Sequence, residues 1–173
     1  MGGNRMFRSW KFIFLVMALT LFLAACGKTL EENADAGLKS AEQAFFDSDK
    51  VANEEVGDVK FYRPNELSLK EESDSQNIIL TTKDDTFILF NNPNEETNSH
   101  LFYDLLKADT TKVIVDEKTF TEGDTFGFAA VVESNDKVEL ITSVGGTKIT
   151  TLSNQKDVEK NLVLMMEILR SIK

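Results

Sequence analysis

From Asn77 to Leu152 the chain is a series of β-rich runs. All but one of the spacers between them are two to four residues long. Parallel neighbours need a crossover of about a dozen residues or more, so runs spaced this closely pair antiparallel. Asn77 to Thr82 and Thr86 to Asn91 flank Lys83-Asp84-Asp85, the spacing and chemistry of a hairpin. Ile78 and Leu80 share one face, and Ile88 and Phe90 share another. Further runs cover Lys112 to Asp116, Thr119 to Thr121, Thr125 to Glu133, Val138 to Val144 and Thr147 to Leu152. Glu122-Gly123-Asp124, Ser134-Asn135-Asp136 and Gly145-Gly146 supply turns between them. Upstream, Val56 to Arg63 reads as one strand that Pro64 ends or places at an edge, and Leu67 and Leu69 as a short piece.

Three stretches carry helical periodicity instead. Leu30, Ala34, Leu38, Ala41 and Phe45 recur at helical spacing, and the stripe strengthens from Leu38 to Phe46. Leu101, Phe102, Leu105 and Leu106 mark a middle helix, with Thr97, Asn98 or Ser99 as its cap. Val158, Leu162, Met165, Leu169 and Ile172 mark a C-terminal helix, with Asn154 as cap and Asp157 in its first turn. These stripes find burial only against a sheet face. The expectation is an α+β domain: an antiparallel sheet of about six to seven strands packed by an N-terminal, a middle and a C-terminal helix.

The first residues do not belong to that domain. Arg5, Arg8 and Lys11 precede Phe12 to Leu23, an uncharged apolar run of 12 residues. A transmembrane helix needs about 20, whereas a secretory signal has an apolar region of about 7–15. Leu23-Ala24-Ala25-Cys26 follows, and it resembles the lipobox of bacterial lipoproteins. The resemblance implies cleavage between Ala25 and Cys26 and a diacylglycerol thioether on Cys26. Two acyl chains anchor stably where one binds marginally. The expected organisation is a signal peptide at 1–25, lipidated Cys26 and a tether at 26–37, and one domain at 38–173. The expected location is the extracytoplasmic face of a cell membrane. Cys26 is the only cysteine, so the domain has no disulfide framework.

Charge narrows the partners. Arg5, Arg8 and Lys11 are the only charges in residues 1–25, so the mature chain carries −13 against −10 for the whole. Nucleic acid requires a basic footprint, and anionic headgroups repel such a chain.

A strand ending in Tyr62-Arg63-Pro64, a hairpin, a middle helix, a meander and a closing helix through Ile168-Leu169-Arg170-Ser171-Ile172 together resemble the PsbP-like fold group over residues 55–173. The resemblance implies a non-catalytic binding or assembly role and supplies no catalytic residues.

Sites for chemistry are scarce. His100 is the sole histidine, at a helix start, with no nucleophile paired to it in sequence. Asp47-Ser48-Asp49 opens like a calcium loop, but Val51 takes a ligand position and Ala52 the glycine position. Asp84-Asp85, Asp116-Glu117 and Glu122/Asp124 read as solvated turns. Phe61, Phe87, Phe90, Phe102, Phe120, Phe126 and Phe128 read as core. No catalytic residue, metal site or cofactor is expected. The first functional reading is a membrane-anchored lipoprotein that binds a protein or envelope partner without catalysis. The second is a carrier or sensor of a small apolar ligand in a Phe-lined pocket between sheet and C-terminal helix. The third is a hydrolase whose carboxylate site the sequence does not reveal.

Overall fold

The computed structural model describes residues 28–173. The expected signal peptide, Ala25–Cys26 cleavage point and Cys26 lipidation site lie outside the described residues. Residues 28–173 form an α+β domain with three helices and a seven-stranded antiparallel sheet.

Helix α1 is Leu30–Asp47. Thr29 caps it: the Glu32 amide donates to Thr29 Oγ1 at 3.2 Å, and the Thr29 amide donates to Glu32 Oε2 at 2.9 Å. This reciprocal box satisfies two end amides that otherwise have no helical partner. The helix therefore starts eight residues before Leu38, the expected start of the domain, and Ala34 and Gly37 are already buried.

Strands β1 (Glu54–Val56) and β2 (Val59–Phe61) follow as a separate two-stranded hairpin. The single strand expected over Val56 to Arg63 is therefore corrected to a hairpin. Gly57 has φ +58°, a conformation that side chains disfavour, and it turns the chain back on itself. Next come β3 (Ser68–Leu69), β4 (Asn77–Thr81) and β5 (Thr86–Asn91). Helix α2 is Leu101–Ala108. Strands β6 (Ile114–Glu122), β7 (Thr125–Ser134), β8 (Lys137–Val144) and β9 (Thr147–Ser153) form a meander. A 3₁₀ turn at Gln155–Asp157 leads into α3, Val158–Arg170.

Two runs expected at Lys112–Asp116 and Thr119–Thr121 are the single strand β6. Ile114 pairs with Val132 and Asp116 with Val131, so Val115 bulges out. The bulge shifts the alternation, which is why the sequence reads as broken there. The cap assigned to Asn154 also moves. Asn154 precedes the 3₁₀ turn, and Asp157 occupies the α3 cap position without a side-chain cap bond.

The sheet order is β3-β4-β5-β9-β8-β7-β6. The returning β9 pairs with both β5 and β8, joining the hairpin to the meander. Helix α2 carries the chain from β5 to the far edge.

Alternation sorts the side chains onto two faces. Ile78, Leu80, Phe87, Leu89, Val131, Leu140 and Ile149 bury against α1 and α3. On the other face Phe126, Phe128, Ala130, Val132 and Ile141 bury against Phe102 and Leu106 of α2. An 8-residue helix covers only part of a seven-stranded sheet. Where α2 ends, the second face is open.

Candidate binding surface on the open sheet face

The open area lies over β5, β9 and β8, beside α2. Ile88 pairs with Thr150, and Leu152 with Glu139, in neighbouring strands. Because Phe87, Ile149 and Leu140 point into the core, Ile88, Thr150, Leu152 and Glu139 point away from it. Ile88 is 45% and Leu152 50% exposed. Scattered exposed apolar residues are ordinary, but these two line one depression of about 560 Å³ with Asp84, Thr86, Lys137 and Thr150. A second depression of about 310 Å³ continues beneath α2, between Phe102, Leu105, Leu106 and Ile141. Glu139 and Thr150 line both, so the two depressions adjoin and are together called the groove.

Charges in the groove are nearly balanced, unlike the chain as a whole. Glu139 is ion-paired with Lys112. Asp109 Oδ1 accepts from the Thr111 amide at 3.0 Å and from its hydroxyl at 2.6 Å. Lys148 is half-buried, its Nζ 4.9 Å from the centre of the Phe102 ring. It makes no ion pair among the described residues. Burial holds the Lys148 ammonium below the usual lysine range; Glu139 opposes that shift and Lys112 adds to it.

Asp85 differs from the solvated turn expected of it. Its side chain is only 8% exposed. Oδ2 accepts from Asn161 Nδ2 of α3 at 3.1 Å, Oδ1 has no hydrogen bond, and Lys137 Nζ is 3.9 Å away. Asn161 also donates to Ser153 Oγ at 2.8 Å. The hairpin turn is thus tied to the C-terminal helix across 76 residues of sequence.

Glu117 and Glu122 hold structural contacts. Glu117 accepts from Tyr103 Oη at 3.2 Å and pairs with Lys107 at 2.6 Å. Burial, then the Glu117 charge, raises the Tyr103 phenol above its ordinary range. Glu122 pairs with Arg170 at 2.5 Å. Asp47, Ser48 and Asp49 border a shallow acidic cleft between α1 and α3, where Lys50 meets Glu167 at 3.4 Å. No cluster of His, Cys, Asp or Glu among the described residues has metal-holding geometry. His100 lies flat on Phe126, ring centres 3.6 Å apart.

Most phenylalanines among the described residues are core, Phe46 at 44% exposure being the exception. Phe45, Phe61, Phe87 and Phe128 are fully buried, and Phe120 nearly so. The layer between sheet and α3, where a Phe-lined ligand pocket is one expectation, is occupied by Phe87, Leu140, Leu162 and Met165. The groove lies on the opposite face and has one phenylalanine, Phe102, in its wall.

The fold and groove define an α+β domain with one sheet face left partly uncovered. No family model matches the chain, and no curated protein matches its sequence. Among solved structures it is similar to the cyanobacterial PsbP (CyanoP) from Synechocystis sp. PCC 6803, with 12% identity and a TM-score of 0.41. The match covers 66% of this chain and 85% of that one. A likeness of that size carries no functional argument; the architecture rests on its own strand order.

Proposed function

We propose that this chain is an extracytoplasmic lipoprotein, held to a membrane through lipid on Cys26, that binds a protein partner without catalysis. The observation that carries the reading is the open groove with exposed Ile88 and Leu152 on an otherwise acidic chain. An uncovered sheet face with apolar side chains loses free energy on being covered, by about 25 cal/mol per Å². The mature charge of −13 disfavours acidic partners. The partner chemistry that fits is a protein segment with apolar side chains and a neutral or basic surround. The absence of paired nucleophile and base in the sequence supports the non-catalytic part.

Cys26→Ala tests the anchor: the wild type stays with membranes and the variant is released. Membrane retention of both would contradict it. For the face, Ile88→Lys with Leu152→Lys should abolish capture of the crosslinked partner in native envelopes. Val51→Lys, at an apolar residue 71% exposed elsewhere, should not. Equal capture by both variants would remove the groove from the binding role.

A further inference from the structure

We propose that the part of the groove beneath α2 is a site for a small aliphatic monocarboxylate, with its head on Lys148 and its chain along Phe102, Leu105, Leu106 and Ile141. The inference deepens the binding reading and rests on it for the groove, but its ligand chemistry comes from the side chains alone.

The charge inventory selects an anion. Glu139 is occupied by Lys112, and Asp109 by Thr111. Lys148 is the one lysine of the depression without an ion pair among the described residues, and Asp109 has only the neutral Thr111 on its carboxylate; the Lys148 ammonium sits half-buried over the Phe102 ring. A ring face offsets part of the lost hydration, but a carboxylate adds a charge-assisted hydrogen bond that the ring does not. Burial already disfavours the charged lysine, so an arriving anion relieves a standing cost.

The same inventory selects one negative charge over two. Glu139 and Asp109 border the depression against Lys112 and Lys148, so there is no surplus of positive charge to hold the second negative charge of a phosphate dianion. The apolar wall selects the remainder of the ligand. Leu105 is 57% exposed, while Phe102, Leu106 and Ile141 close the floor. The depression measures about 310 Å³, at the low end of the range for small-molecule sites, and has room for a chain of about six carbons.

The probes are hexanoate, hexanol, acetate and inorganic phosphate, titrated calorimetrically into the purified full-length chain. Hexanoate should bind, and each of the other three should bind at least about tenfold more weakly: hexanol lacks the charged hydrogen bond, acetate lacks the apolar chain, and phosphate lacks the chain and brings a second negative charge. Lys148→Gln should weaken hexanoate by about tenfold and leave hexanol unchanged. Lys137→Gln, at the other end of the groove, should leave hexanoate unchanged. In the wild type, hexanoate should slow reductive methylation of Lys148 but not of exposed Lys39, a readout that needs no variant to fold. Hexanoate binding no tighter than hexanol, phosphate binding more tightly, or Lys148 unprotected would overturn the site. If these fail while partner capture still depends on Ile88 and Leu152, the carboxylate site alone falls. If hexanoate binds but capture is indifferent to the face, the partner reading alone falls.

Discussion

The ring of Phe45 on α1 rests on the bare backbone of Gly127 in β7. A Cβ at Gly127 would stand 2.7 Å from Phe45 Cε2 and 2.9 Å from the Ser143 carbonyl oxygen. This contact sets how closely α1 approaches the sheet. Phe120 and the Arg170 guanidinium then close around the same ring, at 5.3 Å and 4.6 Å.

Gly127→Ala should therefore destabilise the domain by about 2 kcal/mol, the usual cost of overpacking a tight core. Glycine is intrinsically poor in a strand, so propensity predicts the opposite sign. Urea unfolding decides between them. Phe45→Leu should recover part of the loss in the double variant, because it removes the ring that the new methyl strikes.

Gly37→Ala sets two effects of similar size against each other. Helix propensity favours alanine by about 1 kcal/mol. The new Cβ would lie 2.9 Å from Leu162 Cδ1 and 3.3 Å from Glu159 Cα. Leu162 is fully buried and the Glu159 contact is backbone, so α1 and α3 must separate. The expected net effect is a loss of about 1 kcal/mol, read as a lower urea midpoint. A higher midpoint would mean that the helix pair yields.

Much of this architecture is legible in the sequence, and the misses have physical causes. The strand run from Asn77 onward and the α3 stripe are read correctly because each buries one face against a continuous core. The stripe of α1 is legible from Leu30 onward, but its first turns are polar and the cap is not read; the signal for it was Thr29 with Glu32 three residues later. The β1–β2 turn is missed because Gly57 interrupts an otherwise continuous alternation. Val115 hides the continuity of β6. The groove is harder to foresee. Ile88 and Leu152 resemble any outward strand residue, and only the short reach of α2 leaves them open. The Asp85–Asn161 bond joins residues 76 apart, a pairing no local pattern records.

Asn161→Ala should cost about 2 kcal/mol, since it strips the hydrogen-bond donor from a mostly buried carboxylate. Asp85→Asn in the same background should recover stability by removing the stranded charge. Thermal unfolding of the two single variants and the double variant forms the cycle. Additive losses would show that the pair is not coupled.

Lys148 supplies a pH dependence with a definite sign. Its folded pKa is lowered by burial, so the folded state holds the proton less tightly than the unfolded chain does. The destabilising contribution is fully present below the folded pKa and disappears as pH rises through it to the unfolded value. Glu139 and Lys112 face the same amine and remain paired with each other. Lys148→Met should therefore raise the melting temperature at neutral pH by about 2 °C, and the gain should shrink in alkali. A gain independent of pH would assign it to packing.

Photo-crosslinking in the native envelope tests the central claim most directly. A crosslinking residue at position 88, in the open groove, is compared with one at position 39 on α1. Position 88 should give a discrete adduct with a protein partner that Leu152→Lys abolishes, and position 39 should give none. The same adducts from both positions, or none from 88, would contradict a binding role for the open sheet face.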